Sequence, residues 1–120
     1  MDNKILIVED TESVLAAMAN YFQLLGYTVD CAQDKGEAER LLASEHYKVV
    51  IADLRLSGSG GTEGLEIIKS LCGRARSMLL TAFASPEIEA QAREHGVDVF
   101  LHKPQRLPQV AKIVAQLIAQ

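Results

Sequence analysis

Five side chains in this sequence are of types that do chemistry together: Glu9 and Asp10 as a pair, then Asp53, Thr81 and Lys103. The first three follow directly on the short apolar runs ILIV and VVIA, Thr81 follows MLL, and Lys103 comes just after VFL. If the fold brings them together, three carboxylates share one crevice. Two like charges about 4 Å apart repel by roughly 4 kcal/mol at an effective dielectric of about 20. That is a large fraction of the ~5–15 kcal/mol that keeps a domain folded. A hard divalent cation relieves the repulsion, and Mg²⁺ suits one or two carboxylates, a carbonyl and waters. A metal held this way beside one lysine and one hydroxyl is the equipment for phosphoryl transfer, with a carboxylate as nucleophile.

Each residue also has an ordinary reading. Glu9 and Asp10 fit the acidic first turn of a helix. Asp53 fits a turn after a strand. Thr81 could simply end a strand, Lys103 could be a solvated charge, and Phe100 a half-buried strand aromatic. What favours the joint reading is that all four central runs lead into the required residue types, in order.

The elements that must position these residues are legible. Apolar runs at 5–8, 49–52, 78–80 and 97–101 are short and rich in Val, Ile and Leu, as strands buried on both faces of a parallel sheet are. A fifth segment, 28–31, alternates polar and apolar like an edge strand. Helical patterns lie between. Val14, Leu15, Met18, Phe22 and Leu25 make one face that Gly26 terminates. Asp34 caps a second helix, with Glu37 reaching back, ahead of Ala38, Leu41 and Leu42. A third starts near Thr62 and buries Leu65, Ile68 and Leu71. Ser85-Pro86 opens a fourth that Gly96 ends. Leu107, Val110, Ile113, Val114, Leu117 and Ile118 mark the fifth.

Five strand–helix alternations predict an α/β fold: a three-layer, doubly wound, five-stranded parallel sheet with five helices and flavodoxin-like order 2-1-3-4-5. In that order the five chemical residues lie along the carboxyl edge, around the switch point between strands one and three. Residues 1–120 are expected to form a single domain. A net charge of −4, with no clustered basic run, argues against nucleic-acid binding. No apolar run approaches the ~20 residues a bilayer needs, so no membrane partner is expected. Cys31 and Cys72 have no CxxC spacing and no leader precedes the first strand, which points to the reducing cytoplasm. The one irregular stretch is the Gly/Ser loop at 57–61.

The segments ILIVED, VVIADLRL, LLTA and VFLHKP closely resemble, over the whole chain, the bacterial two-component receiver domains of the chemotaxis-regulator-like family. The resemblance implies a response regulator receiver that accepts a phosphoryl group onto Asp53 from a sensor histidine kinase or phosphotransfer protein. Asp10 would ligate Mg²⁺ directly, Glu9 through water, and Asp53 and the backbone carbonyl of Arg55 would complete the protein ligands; Mn²⁺ could substitute. Thr81 and Lys103 would contact the phosphoryl group, the Lys103-Pro104 peptide would be cis, and Thr81 with Phe100 would form the switch. The expected output is an altered surface for an output domain or target protein, with a homodimer through the helix 4–strand 5–helix 5 face. No catalysis is expected beyond its own phosphotransfer and autodephosphorylation, whether the receiver stands alone or belongs to a longer regulator.

Departures from the family pattern are Ser57 where a Pro is usual, the longer Gly-rich loop, Phe100 in place of Tyr, and Arg55 and Phe83 at positions the family varies to tune dephosphorylation. Other users of the fold fit less well. A flavin or nucleotide binder needs a phosphate loop where Glu9-Asp10 would repel a phosphate. A haloacid-dehalogenase-like phosphatase needs a second Asp where Arg55 stands. A degenerate receiver, used for protein binding alone, would have lost one of the acidic, acceptor or lysine positions, and all are present.

Overall fold

The computed structural model describes residues 3–56 and 62–120. The Gly/Ser loop at 57–61 lies outside the described residues. Among those residues the order is β1 (Lys4–Val8), α1 (Glu12–Leu24), β2 (Thr28–Ala32), α2 (Lys35–Ser44), β3 (Val49–Asp53), α3 (Glu63–Leu71), β4 (Arg76–Thr81), α4 (Pro86–Glu94), β5 (Val99–His102) and α5 (Leu107–Ala119). All strand pairs are parallel, and the sheet order is β2-β1-β3-β4-β5. The expected doubly wound, flavodoxin-like architecture is the observed one.

Strand pleating divides the core in two. Ile5, Ile7, Val49, Ile51, Met78 and Leu80 face Leu15, Met18 and Phe22 of α1 and Val110, Val114 and Leu117 of α5. Leu6, Val8, Val50, Ala52 and Leu79 face α2, α3 and α4 through Ala38, Leu42, Leu65, Ile68 and Ala92. Successive side chains of a strand point to opposite faces, so an apolar run with no polar gap is what a sheet covered on both sides requires. Each Leu or Ile taken fully out of water stabilises by about 1.5–3 kcal/mol. The strands are therefore packed on both faces, and residues just past their ends inherit their positions.

Helix ends form as the sequence predicts, with two adjustments. Asp34 Oδ1 accepts from Glu37 N–H at 2.8 Å, while Glu37 reaches back to Gln33 N–H, also at 2.8 Å. Ser85 Oγ accepts from Ile88 N–H, with Pro86 in the first turn. Gly26 ends α1 with φ 98°, a conformation that costs glycine no Cβ clash, and Tyr27 N–H then bonds to Phe22 O. Leu25 lies beyond the last core-facing turn and is exposed, contrary to its expected place on the buried face; Val14 is also half-exposed. Gly96 and Val97 close α4 by the same bond pattern, Val97 N–H to Ala92 O. Val97 therefore belongs to the helix stop, and β5 starts at Val99 instead of 97. Cys31 and Cys72 are free and exposed. No helix among the described residues is long and apolar enough to cross a membrane.

One glycine positions the carboxyl edge directly. Gly64, in the first turn of α3, donates its N–H to Leu54 O at 3.0 Å. A Cβ at Gly64 would overlap the carbonyl oxygen of Asp53 and come within 2.7 Å of Leu54 Cα. Both are backbone atoms, so no rotamer change relieves the clash. Gly64→Ala is expected to destabilise by about 1–3 kcal/mol, less up to about 1 kcal/mol of improved helix propensity, despite replacing a poor helix former by the best one. A melting temperature equal to or above that of the wild type in thermal denaturation would show that α3 does not seat on the Asp53–Leu54 backbone.

Candidate functional site

Asp53 is the last residue of β3 and Thr81 the last of β4; Glu9 and Asp10 follow β1, and Lys103 follows β5. In a parallel sheet these are all carboxyl ends. The chain leaves β1 toward β2 and β3 toward β4, so a crevice opens between the two central strands. Carboxylate oxygens of Glu9, Asp10 and Asp53 lie within 4.8 Å of one another. Glu9 is 3% exposed, whereas Asp10 is exposed and Asp53 intermediate. The cleft has a volume of about 350 Å³ and is lined by Glu9, Asp10, Thr11, Asp53, Arg55, Ala82, Phe83 and Lys103.

Lys103 supplies the counter-charge. Its Nζ donates to Glu9 Oε1 at 2.7 Å and to Asp53 Oδ2 at 2.9 Å. The other oxygen of each carboxylate is met by backbone: Glu9 Oε2 accepts from Thr11 N–H at 3.1 Å, and Asp53 Oδ1 from Arg55 N–H at 3.3 Å. Burial lowers the Lys103 pKa, but the hydrogen bonds to Glu9 and Asp53 outweigh it, and the net direction is above the ordinary 10.5. A raised lysine pKa contributes stability that is complete below 10.5 and is lost as pH rises through the folded value. At neutral pH the ammonium is fully charged.

Thr81 does not line the cleft. It is fully buried, and its Oγ accepts from Phe83 N–H at 2.9 Å. Lys103 N–H bonds to Thr81 O at 2.8 Å, which fixes the lysine one step past the β4–β5 ladder, and the Lys103-Pro104 peptide is cis. Phe100 lies away from the carboxylates. It pairs in register with Leu79 and is 8% exposed, within the core beneath α4, so it is buried and not half-buried. Its ring meets that of His102 edge-on, with centroids 6.2 Å apart.

Two features were not anticipated from residue types. The Arg55 guanidinium stacks over the exposed Phe83 ring, 4.0 Å from its centroid, across the mouth of the cleft. Thr11 joins through its backbone, which carries no residue-type signal at all. Gly64 did leave a signal, being a glycine inside a helical pattern, where propensity disfavours it.

The model of the response regulator receiver domain family matches residues 5–115. Regulatory protein AtoC of Escherichia coli is 31% identical over 116 residues, covering 97% of this chain and 25% of that protein. The curated relatives matched are longer, the chain spanning from about a quarter to about half of their lengths. Among solved structures, a response regulator from Burkholderia pseudomallei, with a phosphorylated aspartic acid, calcium ion and citrate, has a TM-score of 0.84 at 29% identity, over 98% of this chain and 72% of that one. A CheY-like receiver domain from Methanospirillum hungatei shares the fold, with a TM-score of 0.92 at 22% identity, over 99% of this chain and 95% of that one. With the family model spanning nearly the whole chain, this protein belongs to the response regulator receiver domain family.

Proposed function

We propose that Asp53 is the phosphoacceptor of this receiver and that Glu9, Asp10 and Asp53, with the backbone carbonyl of Arg55, hold Mg²⁺ beside it. The observation that carries this reading is the clustering of acidic oxygens in the crevice. Carboxylate oxygens of Glu9, Asp10 and Asp53 lie within 4.8 Å of one another, and Lys103 bridges Glu9 and Asp53. All the donors are oxygens, as Mg²⁺ or Mn²⁺ prefers. A bound divalent cation would neutralise charge on the equatorial phosphoryl oxygens. The relative with a phosphorylated aspartic acid and a calcium ion supports both halves of the proposal.

The chain's own residues supply the rest. An Asp53 oxygen forms the new P–O bond as the P–N bond of a donor phosphohistidine breaks, and the released imidazole nitrogen keeps the electron pair. Lys103, already 2.9 Å from Asp53, follows the charge onto the phosphoryl oxygens. The Thr81 hydroxyl accepts from Phe83 N–H, so its own proton is the one it would donate to the phosphoryl group. Moving Thr81 inward would vacate space next to the core that holds Phe100, which makes these two the switch. Phe100 is already buried and has no hydroxyl to desolvate, so its inward position costs less than a tyrosine's would.

The donor in this reading is a sensor histidine kinase or phosphotransfer protein. The receiver is one unit that acts in the cytoplasm on itself alone, through phosphotransfer and autodephosphorylation. Its readout surface is the α4–β5–α5 face, which meets an output domain, a target protein or a second copy, and it contacts neither nucleic acid nor membrane. Relatives named as transcriptional regulatory proteins are consistent with such an output.

Three measurements test this. Acetyl phosphate with Mg²⁺ should add one acid-stable, base-labile phosphoryl group, seen by mass spectrometry, and Asp53→Ala should abolish it; an adduct at full yield in that variant would move the acceptor elsewhere. Mg²⁺ at ten times its dissociation constant should stabilise the wild type by about 1.4 kcal/mol, with a much smaller gain in Asp10→Asn. No shift in melting temperature at several millimolar Mg²⁺ would remove the metal assignment. Beryllofluoride with Mg²⁺ should move the NMR signals of Phe100 and of residues 85–114 more than those of α1. Shifts confined to the loops around Asp53 would leave an acceptor without this switch.

A further inference from the structure

A larger cleft, of about 500 Å³, opens at the opposite edge of the sheet, where the strands begin. Strands of five or six residues put it roughly 15–20 Å from the acidic crevice, at about 3.3 Å per residue. Its walls carry Lys48, just before β3, Arg76, which opens β4, Arg74 in the α3–β4 connection, and His95 at the end of α4. Among the described residues, Asp98 is the one acidic side chain in the lining. In a chain of net charge −4, three permanent cations, Lys48, Arg74 and Arg76, around one cleft are out of proportion.

How each charge is used matters. Lys4, at the same edge but outside this cleft, is neutralised by Asp30 and Glu45. Lys48 is exposed and its ammonium has no partner among the described residues. Arg76 meets Asp98 at 3.4 Å with nearly half its side chain exposed, a weak pair, and Asp98 is also held by Ser77 N–H at 2.8 Å. Arg74 donates from Nε to Leu71 O and from Nη2 to Ser70 O, which anchors the guanidinium while leaving further N–H groups free to donate. Donation to the carbonyls that end α3 accounts for Arg74. It does not account for Lys48 and Arg76, which stand at strand starts.

We propose that this cleft is a second anion site, binding a phosphate-bearing small molecule no larger than a mononucleotide. Its volume is in the range of small-molecule pockets. Three cations on separate elements around a concavity match a multiply charged anion, and guanidinium forks suit phosphate oxygens. The site is independent of Asp53 chemistry.

The test is an ¹H–¹⁵N NMR titration of the whole chain with sodium pyrophosphate and, separately, ADP. EDTA excludes divalent ions, so that the acidic crevice repels both probes, and sodium chloride at matched ionic strength is the control. Saturable shifts are expected at Lys48, Arg74, Arg76 and His95, with the surroundings of Asp53 silent. Lys48→Ala and Arg76→Ala should each weaken binding by about fivefold or more, as loss of a charge-assisted contact does. Lys48 has no side-chain partner to lose among the described residues, so its variant keeps the fold. Tighter binding of ADP would mean that the base is also recognised, and equal binding that the phosphates suffice. Non-saturable shifts reproduced by chloride, affinity unchanged in both variants, or saturation by hexaglutamate but not by pyrophosphate would each overturn the proposal.

Discussion

The Lys103 ammonium bridges two carboxylates at the carboxyl ends of different strands, 2.7 Å from Glu9 and 2.9 Å from Asp53. The rest of the carboxyl edge is arranged around that bridge. Glu9 is almost fully buried, and a buried carboxylate without a partner costs several kcal/mol. The lysine must therefore arrive from β5, reaching past β4 to the β1–β3 crevice. It does so because its own N–H extends the β4–β5 ladder onto Thr81 O. Thr81, whose carbonyl accepts that bond, is itself fully buried.

The sheet makes such a bridge dependable. Both faces of β1, β3 and β4 are packed, and a pleated strand buried on both sides cannot slip by one residue without turning every side chain to the other face. The carboxyl ends are thus held in register by contacts made well below them. Gly64 extends this control beyond the strands, since only a residue without Cβ lets the first turn of α3 sit against the Asp53–Leu54 backbone.

Much of this was legible in the sequence because the governing signals are local. Unbroken apolar runs gave the strands, while Asp34, Ser85, Gly26 and Gly96 gave helix ends through side chains or backbone freedom that act within a few residues. The order of the runs then set the topology, and with it the meeting of Glu9, Asp10, Asp53 and Lys103. Leu25 and Val97 misled because an apolar residue next to a terminal glycine can belong to the stop as easily as to the element beside it. The Thr81–Phe83 hydrogen bond and the Glu9–Thr11 contact are made by backbone N–H groups, which every residue but proline carries. The Arg55–Phe83 stack depends on two loop conformations at once. The cationic cleft was invisible for another reason: Lys48, Arg74, Arg76 and His95 are scattered along the chain and converge only when the strand starts are aligned.

The two edges of the sheet differ in charge, and the helices explain part of the difference. Helices run antiparallel to the strands they connect, so all five present their N-termini at the carboxyl edge and their C-termini at the other. Each end carries roughly half a unit charge, positive at the N-terminus and negative at the C-terminus. The positive ends lie on the side where Glu9, Asp10 and Asp53 crowd together, and they favour added negative charge there more than a flat surface would. The negative ends lie where Arg74 binds the carbonyls of α3 and His95 closes α4. Helix dipoles reach only about a turn, however, and Lys48 immediately precedes β3 while Arg76 opens β4. Their positive charge is surplus to what the helix ends require, and among the described residues Asp98 is the acid that lines the same cleft.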